Sequence, residues 1–435
     1  MSVTRKHRRT WLFLGFCLAL GFLLGAGPAE AKKKSSGKCE GTKKQRKQKM
    51  DKREISDEQF RQMVEQYRQR ETEDVEQMKQ AGVRRFEREY EASRTSGEPF
   101  VFDVLIISGG GAKGAFGSGF FQGWGEIEPG PYARPEFDMV TGVSTGALLA
   151  PFAFIGSDEA YASATEFYAN PEENWITKRG TIKFLPNHVS MFNTCHLQDT
   201  VREAVGPSLV EQLVEAAEED RLLLIGTTNL DLGAGRVFDL GLEAQQAMEK
   251  GDVTRVATIL LASSAIPGAF PPLEIDGMLY ADGGATSNLF ITAFPGPDGV
   301  LARFRAAHPE APAPRVRIWV VVNQKIKPAH AITQPHWLKI TGRALDTLTA
   351  TSQIFALDII QDLVREARAE RGVDAELYLV SIPDDAPENK SGKMFNQEYM
   401  RALQEFGRTM GADPSHWTDT IPLAYEVESE PEAPR

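Results

Sequence analysis

Apolar positions fall along this chain in three regimes. An almost unbroken apolar run, WLFLGFCLALGFLLG, occupies residues 11–25. Sparse apolar positions at helical spacing follow within a strongly charged stretch, Phe60, Met63, Val64 and Tyr67, then less regularly Val75, Met78, Phe86 and Tyr90. From Phe100 the texture changes to short continuous apolar runs: VFDVLIIS, MVTGVS, RLLLIGTTNL, GRVFDL, RVRIWVVVN and AELYLVSI. Runs of this length between longer segments predict buried strands alternating with helices, an α/β domain around a mainly parallel sheet. A long helix is predicted from about Trp337 to Glu370, with an apolar face of Leu345, Leu348, Phe355, Ile359, Leu363 and Val364.

The first regime reads as a signal peptide over residues 1–31. Arg5, Lys6, Arg8 and Arg9 precede the apolar run, and Ala29-Glu30-Ala31 supplies a small-x-small cleavage site. This predicts export to a periplasm, cell envelope or medium, with an uncleaved membrane anchor over residues 10–27 as the alternative. Cys17, preceded by bulky Phe16, is a poor lipidation site, and Arg8-Arg9 only weakly resembles a twin-arginine signal.

Residues 32–53 hold eleven Lys or Arg against Glu40 and Asp51. Such a block is a solvated basic leader, or a patch that rests on anionic headgroups. Ser56-Asp57-Glu58-Gln59 fits a capping box opening one or two charged helices over 57–92, with a break at Gly82. These read as an extension (32–99) appended to a catalytic domain over 100–425, with a loose tail at 426–435. The net charge of −11 argues against a nucleic-acid partner. Cys39 and Cys195 do not make a disulfide framework, although a single bridge between them stays open.

Two glycine-rich turns carry candidate chemistry. Gly109-Gly110-Gly111-Ala112-Lys113-Gly114 follows the first strand and satisfies G-x-G-x-x-G. A dinucleotide site also needs an acidic residue closing the second strand, and here Asp138 lies before that strand. The other use of the turn is to converge backbone N–H groups on a developing oxyanion at a helix start. Gly142-Val143-Ser144-Thr145-Gly146 has the G-x-S-x-G form of a nucleophile elbow. Its usual partner is a histidine, yet His188, His196, His308, His330, His336 and His416 all sit in loop-like or surface contexts. Asp282-Gly283-Gly284, after a short apolar segment, offers either a simple turn or a carboxylate base.

Taken in order, these three motifs resemble those of the patatin-like phospholipase family. The stretch ASSAIPGAFPP, residues 262–272, resembles that family's connector, and TTNLDLGAGRVF resembles its central strand pair. The match runs from about Val104 to Asn288. The resemblance implies a three-layer α/β/α fold and a Ser-Asp dyad, with Ser144 as nucleophile and Asp282 as general base. Backbone donors of Gly109, Gly110 and Gly111 and the Thr145 amide would form the oxyanion hole. Lys113 departs from the arginine common in the family, which keeps the charge and loses the bidentate fork. The implied activity is hydrolysis of lipid acyl esters through an acyl-enzyme, with no metal or organic cofactor. Phe116, Phe120, Phe121, Leu148, Leu149 and Phe152 could line an acyl pocket or simply fill the core. Two alternatives stay open: an esterase for short soluble acyl esters, and an envelope scaffold with a relic site.

Overall fold

Val101–Ile107 (β1) carries apolar side chains on both faces, so both faces must be covered. The computed structural model describes residues 53–178, 189–292, 296, 298–327, 330, 332–335, 337–370 and 373–421. The expectations for the signal peptide, for the leader before Arg53, for Cys39 and for the tail fall outside these residues. The other strands are β2 (Met139–Val143), β3 (Thr177–Lys178), β4 (Phe192–Asn193), β5 (Leu222–Asn229), β6 (Ala234–Asp239), β7 (Leu273–Ile275), β8 (Met278–Asp282), β9 (Arg315–Val322) and β10 (Asp374–Ser381). The six apolar runs in the sequence account for β1, β2, β5, β6, β9 and β10.

Strands β10, β9, β1, β2 and β5 lie side by side in that order and are all parallel. Beyond them β6 and β8 pair antiparallel with β5, and β7 pairs with β8. Strands β3 and β4 form a separate antiparallel pair.

The helices are α1 (Asp57–Ser96), α2 (Gly114–Trp124), α3 (Thr145–Ile155), α4 (Asp158–Ala169), α5 (Cys195–Ala204), α6 (Pro207–Ala217), α7 (Leu240–Lys250), α8 (Thr254–Ser263), α9 (Val300–Ala307), α10 (Trp337–Glu370) and α11 (Gln397–Gly411). Side chains alternate across a strand. Leu105, Ile107, Val140 and Ile225 therefore meet Phe116 and Phe120 of α2 on one face. Phe102, Val104, Ile106 and Leu224 meet α1, α9 and α10 on the other. The result is the three-layer mixed α/β architecture expected, with a mostly parallel sheet between two helical layers.

Two expectations are corrected. Helix α1 is one continuous helix of 40 residues, with the Ser56/Gln59 capping box formed, and it does not break at Gly82. A Cβ at Gly82 would come within 2.8 Å of Val300, so glycine there lets α1 lie close against α9. Nor is α1 an appendage. Met78, Phe86 and Tyr90 are buried in the second core, and Phe86 stacks on Phe102 with ring centroids 4.1 Å apart. Arg85 pairs with buried Asp138 at 2.7 Å, and Arg84 and Arg88 both reach Asp220. The apolar positions are sparse because guanidinium–carboxylate pairs secure much of the contact.

The second correction concerns α10, whose predicted apolar face is split: Val364 is buried and Leu363 half-buried as expected, but the other four positions point outward. Leu345, Leu348, Phe355 and Ile359 are exposed, while Gln353, Ala356, Leu357, Ile360 and Val364 are buried. Among the described residues, no helix is long and apolar enough to cross a membrane.

Candidate active site

The register of β5 brings the two key side chains together. Val143, the last residue of β2, lies opposite Gly226 of β5. The chain turns away at Ser144, but β5 runs on to Asn229. Strand β6 covers the other edge of β5 along its whole upper half. The edge that β2 vacates is therefore taken by β8, running the opposite way, with Asp282 opposite Thr227. Asp282 thus sits one register step beyond Val143, next to Ser144. Ser144 Oγ donates to Asp282 Oδ2 at 2.6 Å.

Ser144 is held at φ 55° and ψ −122°, a conformation that non-glycine residues rarely adopt. Such strain costs about 1–3 kcal/mol and persists only where the surroundings fix it. Here a serine pair at the end of α8 does so. Ser144 N donates to Ser263 Oγ at 2.9 Å, Ser263 Oγ donates to the Gly226 carbonyl at 2.7 Å, and Ser264 Oγ donates to the Ser144 carbonyl at 3.1 Å. Gly142 and Gly146 flank the elbow; a Cβ on Gly146 would strike the carbonyls of Ile107 and Ser108, so glycine lets α3 start directly against β1. The same holds at Gly283, which packs on the Gly226 carbonyl.

Asp282 is buried, and its second oxygen accepts from the Gly284 amide at 2.8 Å. Among the described residues it has no ion-pair partner. Burial pushes its pKa up to about 6, against the hydrogen bonds from Ser144 and Gly284. A carboxylate so placed can take a proton from the serine hydroxyl near neutral pH.

The glycine-rich turn lies beside this pair; a Cβ on Gly109 would come within 3.0 Å of the Ser144 Cβ. Its geometry separates the three glycines. The Gly109 amide is directed at the Asn288 carbonyl, at 3.4 Å. The amides of Gly110 and Gly111 have no acceptor among the described residues, and Gly111 adopts φ 58°, open to glycine. Thr145 supplies the first amide of α3, and its hydroxyl bonds to the Tyr168 hydroxyl. Gly114 packs against that same pair of hydroxyls. The turn is braced from β9: Asn323 N donates to Ser108 Oγ at 2.8 Å, Asn323 Nδ2 to the Ser108 carbonyl at 3.0 Å, and Gly117 N to Asn323 Oδ1 at 3.0 Å. Lys113 is solvent-exposed. Crowding by protein atoms lowers its pKa and Lys325 adds to this, while Asp346 of α10 opposes it. Lys113 thus stands at the exposed rim of the glycine-rich turn.

Phe116, Phe120, Phe121 and Leu149 belong to the core. Leu148 and Phe152 are only half-buried and line a small apolar recess with Pro151, Phe167, Val205 and Leu209. No described histidine bonds to Ser144: His308 pairs with Glu87 at 3.0 Å, His416 faces the Met410 carbonyl, and His196 and His330 lie elsewhere. His188 and His336 are outside the described residues. Among the described residues, no cluster of three or more His, Cys, Asp or Glu is arranged to hold a metal ion.

The reading of the sequence missed Ser263, Ser264, Asn288 and Asn323. The first two lie in the connector whose resemblance was visible, so the signal was present without its role.

Residues 105–295 match the family model for patatin-like phospholipases. No curated protein matches the sequence. Among solved structures the chain is similar to the crystal structure of VipD from Legionella pneumophila, at 13% identity and a TM-score of 0.32, over 73% of this chain and 67% of that one.

Proposed function

We propose that the protein is a serine lipid acyl hydrolase in which Ser144 is the nucleophile and Asp282 the general base. The observation that carries this reading is the 2.6 Å bond between Ser144 Oγ and a buried Asp282, on an elbow held at positive φ. Asp282 Oδ2 takes the hydroxyl proton as Oγ bonds to the ester carbonyl carbon. The amides of Gly110, Gly111 and Thr145 donate to the resulting oxyanion; Gly109, its own amide turned to Asn288, serves to let the turn approach Ser144. The intermediate collapses by breaking the bond to the alcohol oxygen, which leaves with the proton from Asp282. Water then attacks the acyl-enzyme, Asp282 takes its proton, and that proton returns to Ser144 as the fatty acid departs.

Two features favour lipid esters over other acyl compounds. The motif-bearing region matches a phospholipase family, and Leu148 and Phe152 present an apolar recess on the helix that starts at the nucleophile. Turnover of esters of graded acyl length tests the class. A kcat/KM that rises with chain length is expected; a maximum at acetyl or propionyl would favour the short-ester alternative, and no turnover would favour a relic site. Activity is expected to survive a chelator, and loss restored by one divalent ion would contradict the mechanism. The charged start, apolar run and small-x-small site of residues 1–31 support export. N-terminal sequencing should find Lys32 first; an intact segment in the membrane fraction would favour the anchor.

A further inference from the structure

Asn288 lies between the glycine-rich turn and the Asp282 turn. A Cβ on Gly109 would come within 2.4 Å of Asn288 Oδ1 and 3.0 Å of the Ser144 Cβ, and one on Gly284 would come within 3.3 Å of the same oxygen. The end of the Asn288 side chain thus occupies the space that the missing Cβ of Gly109 leaves, on the side where Ser144 stands. Asn288 is buried, yet its Oδ1 holds no hydrogen bond among the described residues and, unlike Gln353 Nε2, is not sealed from solvent.

The other end of the side chain is held by Gln353 of α10, which is fully buried. Asn288 Nδ2 donates to Gln353 Oε1 at 3.0 Å. In this orientation Gln353 Nε2 is a buried donor with no acceptor among the described residues, a state that native interiors rarely keep. A half turn of both side-chain amides exchanges nitrogen for oxygen at each end. Gln353 Nε2 then donates to Asn288 Oδ1, and the orphan left in the core is a carbonyl oxygen, which is better tolerated than an orphan N–H. The same half turn brings Asn288 Nδ2 to the place beside Gly109 that Oδ1 held. Charge builds on the ester carbonyl oxygen as Ser144 Oγ bonds to its carbon. An Asn288 oxygen facing that charge would repel it, whereas Nδ2 can donate to it. The reaction itself therefore favours the turned pair.

We propose that Asn288 is a side-chain donor to the oxyanion, added to the amides of Gly110, Gly111 and Thr145, and that Gln353 is the positioning residue that turns with it and keeps the donor inward. This deepens the proposed function and rests on it. The competing role is a plain brace between the glycine-rich turn and α10, in which Asn288 touches no substrate. N288A/Q353L separates the two, because removing both buried polar partners together can leave the fold nearly as stable. On a soluble short-chain ester its kcat should fall at least about tenfold, as for a lost oxyanion donor, with KM within about twofold of wild type. A smaller loss of kcat in a variant with the wild-type denaturation midpoint overturns the proposal. The second measurement needs no such variant to fold. In the nitrogen-15-labelled full chain, the Asn288 side-chain amide is assigned by its loss in the isosteric Asn288→Asp, and Ser144 is then phosphonylated with a fluorophosphonate, whose phosphonyl oxygen stands for the oxyanion. One proton of the Asn288 amide should move downfield in wild type and stay in place in Ser144→Ala under the same treatment. An unmoved amide in a fully labelled protein overturns the proposal alone. Wild type that takes no label at Ser144 faults the catalytic reading on which it rests.

Discussion

Strand β2 has a buried aspartate at each end, and the two are held in opposite ways. Asp138, just before Met139, pairs with Arg85 of α1 at 2.7 Å and accepts from the Asp103 amide at 2.6 Å. Asp282, beside Ser144 just after Val143, accepts a hydroxyl and one amide and has no cation among the described residues. Burial raises both pKa values, to about 7 for Asp138 and about 6 for Asp282. Only Asp282 faces a group that can exchange a proton with it. A guanidinium partner makes a carboxylate a structural tie, whereas a hydroxyl partner leaves it free to act as a base. The sheet thus keeps its fixed charges at one end and its chemistry at the other.

The comparison breaks first, and hardest, at the hydroxyl. Ser144→Ala should abolish ester hydrolysis, and Asp282→Asn should lower kcat/KM by about 10²–10⁴, the range of general-base assistance. Both should keep the wild-type circular dichroism spectrum. Wild-type kcat/KM in either variant would remove the dyad.

At the other end the loss should be in stability. Arg85→Met leaves Asp138 buried without its cation, which typically costs about 3–5 kcal/mol. Denaturant titration should register this, with soluble-ester kcat/KM per folded molecule unchanged. A variant as stable as wild type would show that α1 is held by its aromatic contacts alone.

The third test sharpens the contrast through pH. The folded pKa of Asp282 is raised above its usual value near 3.8. Its stabilising contribution is therefore present below about pH 4 and lost as pH rises through about 6. Asp282→Asn removes that penalty. At pH 8 the variant should be more stable than wild type by up to about 3 kcal/mol, at 1.36 kcal/mol per pKa unit, with the gap closing below pH 4. A variant less stable at pH 8 would mean that the carboxylate stabilises the fold.

The smallest effect is expected at Ser263. Ser263→Ala strips the Ser144 amide and the Gly226 carbonyl of one partner each, a cost of about 1–3 kcal/mol. Because the elbow then relaxes, kcat should fall more than KM rises. An equal change in both would mean that Ser263 only supports the fold.

Much of this site was legible because close backbone contacts demand glycine. Gly109, Gly146 and Gly283 each stand where a Cβ would strike a neighbouring element, and such requirements leave a mark at fixed spacing. The braces left none. Ser263 and Ser264 act across more than a hundred residues of sequence, and a serine near a helix end reads as a cap. Asn288 reaches Gln353 across 65 residues, which no local pattern announces. The fold was legible where strands are buried on both faces. It was not in α1, whose contacts are largely charged, or in α10. Periodicity in α10 found an apolar face without showing that Gln353, Ala356 and Leu357, not Leu348 and Phe355, face the sheet. Periodicity locates a stripe, and only packing decides which stripe is inside.

The dyad is tested most directly by covalent labelling. A fluorophosphonate is incubated with wild type and Asp282→Asn across pH 4 to 9, and the modified peptide is found by mass spectrometry. Wild type should be labelled at Ser144, at a rate that rises through an apparent pKa of about 6 as Asp282 ionises, and Asp282→Asn should label at least about a hundredfold more slowly above pH 7, with the gap narrowing toward pH 4. Label on another residue, or equal rates in the two proteins at pH 8, would contradict a Ser144–Asp282 dyad.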